Sequence, residues 1–416
     1  KDFDDAIYFD KEECILYVAI ADVSEYVFAF GQIDKEAKER GFSIYFPHKS
    51  IPMLPRSLSE HICSLQPNED RLSFCFALNL DPQSFQVTEA KLHNAIIKSV
   101  RRYSYDEVDA FLDRDFSAQK KSDLVVLEWL LPLHSMMNKV RKQRLFEGFE
   151  FRSTDVRMEV DNMQQLIATR LELETPSHAL IEDCMLLANK AAAHRLSVGI
   201  FRNHEAPSFE KIVDLLDDLA TIGLNVAFTP DLNKLIAAIQ AKAAELNLRE
   251  DVDKLIIKSQ KKAVYEPESK GHFGLGFKTY THFTSPIRRY SDLLLHRLLK
   301  ASLEKDEKIT RFLLSDIDAT CERISDLERE SDKVAWDYMD RKFARWAALN
   351  VGERFHAIVT DVNKTVIARL DDEIKGARLF LLDEDVELLE RVEIMIVEAD
   401  IASARIHARV TKRLDS

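Results

Sequence analysis

The stretch Asp2-Phe3-Asp4-Asp5-Ala6-Ile7-Tyr8-Phe9, with Ile15-Leu16-Tyr17-Val18-Ala19-Ile20-Ala21-Asp22 behind it, decides how this chain is read. Between the two blocks Asp10-Lys11-Glu12-Glu13 is polar and fits a turn, so residues 6–27 read as a hairpin. The run 16–21 is too apolar to alternate, which predicts a strand covered on both faces. Asp2, Asp4 and Asp5 stand at the open end of that hairpin. Carboxylates crowded against a rigid strand repel one another unless a cation neutralises them. Hard oxygen donors suit Mg²⁺, and two such ions about 4 Å apart can activate water and stabilise the leaving oxygen of a phosphodiester. An acidic run is ordinarily just a solvated surface, so the rest of the chain must decide.

The densest polar and aromatic stretch is Tyr280-Thr281-His282-Phe283-Thr284-Ser285-Pro286-Ile287-Arg288-Arg289-Tyr290-Ser291-Asp292. Ser285 and Pro286 are favoured at the cap and first position of a helix, which predicts a helix from 286 to about 303. Its free amides would face an anion, with Arg288 in the first turn able to grip phosphate. The competing reading is an arginine that only pairs with Asp292. Upstream, Gly271-His272-Phe273-Gly274-Leu275-Gly276 fits neither nucleotide-binding glycine pattern, and close backbone approach is the expected use of these glycines.

Working outward, residues 71–80 and 86–99 read as a second strand pair. Residues 41–67 form a long loop rich in glycine and proline, of the kind that usually serves function. Helices are expected at 33–40, 124–143, 179–196 (capped by Ser177), 208–222, 232–244, 251–263 and 316–348. Trp336 and Trp346 on the last of these are expected in the core. Five short strands at 354–360, 366–370, 377–382, 392–399 and 405–410 then fit a small barrel of the OB type. The fold class is therefore α+β: a mixed β-sheet with packed helices over 1–347, then a barrel over 348–416.

The chain has 416 residues and a net charge of −13, and 46% of it is hydrophobic, which excludes global disorder. Its five cysteines are scattered with no zinc spacing, so a reducing, cytoplasmic setting is expected, without disulfides. No apolar run approaches the length of a membrane span. Charge is uneven: residues 254–300 carry ten Lys/Arg against three Asp/Glu, a basic stripe in an acidic protein. Residues 351–416 hold ten basic and fourteen acidic side chains, with Phe355 and Phe380 their only aromatics. That composition predicts weak nucleic-acid binding or a structural role for the barrel.

These segments, in this order, resemble the ribonuclease II/ribonuclease R family of RNB-domain exoribonucleases. Asp2-Phe3-Asp4-Asp5-Ala6-Ile7 looks like its metal-site signature. Further blocks carry the likeness: Gly41, Ser43, Tyr45 and Pro47; Ile51-Pro52-Met53-Leu54-Pro55; Ile181-Glu182-Asp183-Cys184-Met185; His204-Glu205 with Pro207; and Gly271 through Tyr290. Their spelling is closer to ribonuclease R, and the barrel resembles the family's S1 domain in degenerate form. The resemblance implies processive 3′→5′ hydrolysis of single-stranded RNA to nucleoside 5′-monophosphates with Mg²⁺, Mn²⁺ being a substitute. It assigns Asp2, Asp4 and Asp5 to the metal, with Asp4 the most critical, and Arg288 to the phosphate. Tyr45 and Phe151 would bracket the stacked bases, and Glu182, Arg289 and His282 would touch the strand. A monomer acting on RNA 3′ ends, away from membranes, is expected.

The family's first motif aspartate lies six residues before the position of Asp2, so this chain reads as a fragment. The alternative is then an RNA-binding module without turnover. A third reading is an endonuclease or phosphatase using the same carboxylates.

Overall fold

A computed structural model describes residues 2–117, 120–152 and 155–414. The chain opens with β1 (Asp5–Asp10) and β2 (Ile15–Ala21), then α1 (Gln32–Arg40) and two short strands, β3 (Ile44–Tyr45) and β4 (Ser50–Ile51). β5 (Asp70–Leu80) and β6 (Val87–Lys98) complete a four-stranded antiparallel sheet in the order β1-β2-β5-β6. Asp5 pairs with Ile20, and Ile20 with Phe74. Central β2 is covered on both faces as its composition predicts: Leu16, Val18 and Ile20 are fully buried, and so is Ala21. Each such aliphatic side chain contributes roughly 1.5–3 kcal/mol.

Helices α2 (Tyr105–Leu112) and α3 (Leu124–Arg144) precede a hairpin, β7 (Asp155–Val160) with β8 (Leu166–Glu172). Next come α4 (Pro176–Ala193), β9 (Phe201–Asn203), α5 (Phe209–Thr221), α6 (Leu232–Glu245), α7 (Arg249–Ser259) and β10 (Val264–Glu266). Thr175, not Ser177, precedes α4; the Ser177 amide instead donates to Asp109 at 2.8 Å, and Pro176 takes the first helical position. Two helices follow, α8 (Tyr290–Leu303) and α9 (Glu307–Leu313), and then α10 (Ile317–Ala348).

The five C-terminal strands appear almost where expected: β11 (Arg354–Asp361), β12 (Ile367–Asp371), β13 (Lys375–Leu381), β14 (Arg391–Asp400) and β15 (Arg405–Arg413). They close into a barrel in the order β11-β12-β13-β15-β14, consistent with an OB fold. Alternation builds its core: Val359, Ala368, Leu379, Ile394 and Ala408 point inward and are fully buried.

Three cores result. The first joins the sheet to α3, α4 and α8. The barrel core takes in Phe343, Ala344 and Ala347 from the end of α10 and Met158 and Leu166 from the β7–β8 hairpin. The third lies among α5, α6 and α7 and includes Phe149. Trp346 packs on Phe355, 5.0 Å between ring centres, but Trp336 is 62% exposed, against expectation. Ala335 and Ala347 around them did not reveal that only one tryptophan faces the barrel. No helix among the described residues is long and apolar enough to cross a membrane. The cysteines are all free.

Candidate active site

The acidic cluster is held by backbone before any side chain acts. The Ala21 amide donates to the Asp4 carbonyl at 2.8 Å, extending the β1–β2 ladder by a residue. On the other side Phe3 is clamped: its amide donates to Ser64 Oγ at 3.0 Å and its carbonyl accepts from Leu65 at 3.0 Å. Alternation along the strand turns Asp4 inward, where it is buried, while Asp5 keeps an exposed surface but has its carboxyl crowded by the walls of the cleft.

Two distant segments close on this end of the sheet. The Ile287 amide donates to Asp4 Oδ1 at 2.9 Å, and Arg288 Nε lies 3.4 Å from Asp4 Oδ2. From the 41–67 loop, the Tyr45 hydroxyl donates to Asp2 Oδ2 at 2.6 Å. Asp2, Asp4, Arg288 and Tyr45 are thus brought together, with Asp5 beside them. Tyr105 joins them: burial raises its hydroxyl pKa, the Asp5 charge raises it further, and Arg288 opposes. Its ring stacks on His178 with centres 3.6 Å apart. No local sequence pattern marks Tyr105 as part of this cluster.

The Asp4 carboxyl is pushed up to about 7. Burial is the main cause; Arg288 and the Ile287 amide pull it back, while Asp5 and Asp292 push it further. Burial also raises Asp5, against the pull of Arg288. Behind Asp5 stands Cys184 of α4, a thiol raised first by burial and then by Asp183 and Asp5. Among the described residues no base is paired with it, and it is a buried packing residue.

The stretch 285–289 differs from expectation. The helix begins at Tyr290, and residues 285–289 form a turn with Arg289 extended at the cap position. Pairing with the strand-like segment beside it is the reason. Ser43 donates to the Arg288 carbonyl at 3.0 Å and Tyr290 donates to the Gly41 carbonyl at 2.8 Å. The amides expected to face an anion are engaged: Ser285 on Asp292, Ile287 on Asp4, and Arg288 and Arg289 on the Ser285 carbonyl. Gly41 allows the approach, with φ +68° and Leu327 where a Cβ would sit.

Adjacent arginines divide the work. Arg288 remains 45% exposed, touched by Asp4 and, at 3.0 Å, by Ser285 Oγ. Arg289 makes two bonds to Asp292, at 2.9 and 2.8 Å. The pairing with Asp292 therefore belongs to Arg289 and not to Arg288. His282 bonds the Tyr265 hydroxyl at 2.8 Å, and burial drives its pKa far down, so the ring is neutral. Glu182 pairs with Arg141 at 2.9 Å, inside a network with Arg144, Glu150 and Asp183. Phe151 sits in the third core, 5.1 Å from Phe149. The glycine-rich segment does allow close backbone approach. A Cβ on Gly276 would lie 2.5 Å from the Glu147 carbonyl carbon, and one on Gly148 2.7 Å from that of Leu275. That crossing fixes Phe149 through a 3.0 Å bond to the Gly274 carbonyl. Asp22 stays outside the site, bound to Lys300 at 2.6 Å.

Among the described residues no three His, Cys, Asp or Glu side chains are arranged as a metal cage. Mg²⁺ needs no such cage, because it is commonly held by one or two carboxylates while water and phosphate fill the other positions. Asp4 and Asp5 fit that pattern: both are oxygen donors whose surroundings disfavour their uncompensated charge.

Comparison with known proteins identifies the family. Residues 1–305 match the RNB domain family. Ribonuclease R of Helicobacter pylori strain 26695 is 37% identical over 423 residues, covering 100% of this chain and 64% of that protein. The chain thus spans less than two thirds of that relative's length. The apo form of Mycoplasma genitalium RNase R superposes with TM-score 0.90 at 25% identity, covering 98% of this chain and 69% of that one. The same enzyme in complex with ribose methylated single-stranded RNA gives 0.89 at 26%, covering 99% and 69%. The chain belongs to the RNB-domain family, on its ribonuclease R side.

Proposed function

We propose that this chain is the catalytic core of a 3′→5′ exoribonuclease that hydrolyses single-stranded RNA to nucleoside 5′-monophosphates, processively and with Mg²⁺. One observation carries the reading: a buried carboxylate, Asp4, shares its surroundings with the half-exposed guanidinium of Arg288, 284 positions away in sequence. An isolated carboxylate so desolvated is costly, and a phosphodiester with its counter-cation is the ligand that uses both charges.

In this reading Asp4 and Asp5 hold the cation, and Asp2 stands by, oriented by Tyr45. When bound, the cation supplies charge neutralisation at the scissile phosphate and makes water a stronger nucleophile. Arg288 keeps most of its donors free for phosphate oxygens and steadies the charge that builds in the transition state. Tyr45 and Tyr105 offer rings beside the reacting end, and Phe151 provides the far wall of the base stack. Stacking grips any base at roughly 1–3 kcal/mol each. Discrimination against DNA rests on contacts to the 2′-OH. Arg289, His282 and Glu182 act on the strand through the shape of the turn and of α4, because each is engaged within the protein. Residues 1–347 form the catalytic unit and 348–416 a degenerate S1-like unit that adds little RNA affinity. The free cysteines suit the cytoplasm, and the working form is a monomer.

The product pattern tests this. Digestion of 3′-labelled RNA releases labelled mononucleotide from the start, and a 5′ label persists until a short end product remains. Cleavage of a circular RNA would overturn the exonuclease reading in favour of an endonuclease. RNA bound but never cut would favour a module without turnover.

A further inference from the structure

Tyr45 and Phe46 are consecutive residues whose side chains serve opposite sides of one small hairpin. Tyr45 bonds Asp2 at 2.6 Å. Phe46 packs on Tyr338 of α10, 4.7 Å between ring centres. The hairpin is closed tightly behind them: Ile44 pairs with Ile51, Tyr45 with Ser50, and the Phe46 amide donates to the Lys49 carbonyl at 2.8 Å. Its tip adds a second hold on the same helix residue, as His48 Nδ1 lies 3.1 Å from the Tyr338 hydroxyl.

Tyr338 is itself held. One helical turn on, Lys342 is 5% exposed, with its ammonium 5.4 Å above the Tyr338 ring. That ammonium bonds the Gln164 carbonyl in the turn between β7 and β8. Phe343, Ala344 and Ala347 follow in the barrel core, while Ile317, Cys321 and Ile324 at the other end lie in the sheet core. Helix α10, about 48 Å long at 1.5 Å per residue, is thus one rod that anchors the barrel at one end and the sheet at the other. It touches the hairpin in between.

We infer that Tyr338 is a positioning residue: through Phe46 and His48 it sets the pose of the hairpin, and so of Tyr45 on Asp2. The inference rests on the exonuclease reading for its consequence in turnover, but not for the hold itself. Removing the hold leaves a two-residue strand pair, too short to keep its own shape, tied at Ser50 by Arg56 (2.7 Å) and at Tyr45 by Asp2. A reacting group displaced by about 1 Å can cost up to a hundredfold in rate.

Two readouts test it on the whole chain. Hydrogen exchange followed by mass spectrometry reports residues 42–53. Steady-state cleavage of a single-stranded RNA with Mg²⁺ separates kcat from KM. Tyr338→Ala and Phe46→Ala are expected to speed exchange in that segment, with the barrel and the β1–β2 peptides unchanged. They should lower kcat about tenfold and move KM less than about twofold. Tyr338→Phe keeps the ring and should retain most of the rate. Trp336→Ala, exposed and two positions away on the same helix, should change neither readout. Two outcomes would overturn the inference: a hairpin that stays protected in both alanine variants, or one that opens while kcat is unchanged. A wild-type chain that never cleaves RNA would instead sink the exonuclease reading, and the exchange data would still decide whether Tyr338 holds the hairpin.

Discussion

The cleft and the barrel solve opposite problems with the same chain. The barrel is local. Its five strands lie within residues 354–413 and turn aliphatic side chains inward, with Phe343 of α10 and the β7–β8 hairpin packed on that core. The cleft is assembled from the start of the chain, the 41–67 loop, Tyr105 and the 285–289 turn, and it buries charge. The difference teaches where each kind of order comes from. Alternating apolar residues suffice to close a barrel, whereas a buried carboxylate must be surrounded by partners from far away, at a cost to stability. The predictions below press on that contrast.

The largest expected effect separates the neighbouring arginines. Arg289→Ala leaves Asp292 buried without its cation, and chemical denaturation should show a loss of roughly 3–5 kcal/mol. Arg288→Ala should move the midpoint far less, because Arg288 is half-exposed and Asp4 keeps the Ile287 amide. If both variants behave alike, the division of labour in the turn is wrong.

Asp4→Asn should stabilise the fold. The unfolded carboxyl ionises near 3.8 and the folded one near 7. Between those values the folded state holds a proton that the unfolded state has lost, so stability falls as pH rises from about 4 to about 7. Above that the penalty is constant, at roughly 4 kcal/mol for a shift of this size. Without divalent cations at pH 8, the Asn variant should melt several degrees higher than the wild type, and the gap should close towards pH 4. A variant that melts lower at pH 8 would contradict the burial argument.

In turnover, Arg288→Ala should lower kcat about a hundredfold, close to 2.7 kcal/mol of transition-state stabilisation, with KM altered far less. The smallest effect belongs to the barrel. Phe380 lies 5.4 Å from the guanidinium of both Arg378 and Arg405 and is the best aromatic contact the barrel offers RNA. Phe380→Ala should raise KM for a long RNA by less than about threefold. A larger loss would show that the acidic barrel grips RNA after all.

The barrel strands and the β1–β2 hairpin were legible because period-two and continuous apolar patterns are written in adjacent residues. The motif aspartates, Tyr45 and Arg288 were legible as residues that meet. Their geometry was not. Ser285-Pro286 is a sound local signal for a helix start, yet pairing with residues 41–43 holds the turn extended and moves the start to Tyr290. Tyr105 sits at the start of an ordinary amphipathic helix, and only the packing of α2 on α4 brings it to Asp5. Trp336 and Trp346 look alike in sequence, and the direction of the barrel alone separates them. The β7–β8 hairpin went unread because its strands serve the barrel core, about two hundred residues on.

The measurement that bears most directly on the central claim compares the chain with its Asp4→Asn variant on 5′-labelled single-stranded RNA and matched DNA, with Mg²⁺ and with EDTA. The account predicts a short end product from RNA alone, lost with EDTA. The variant should cut at least about a thousandfold more slowly while still binding the strand. Equal cleavage by the variant, or cleavage undiminished in EDTA, would contradict it.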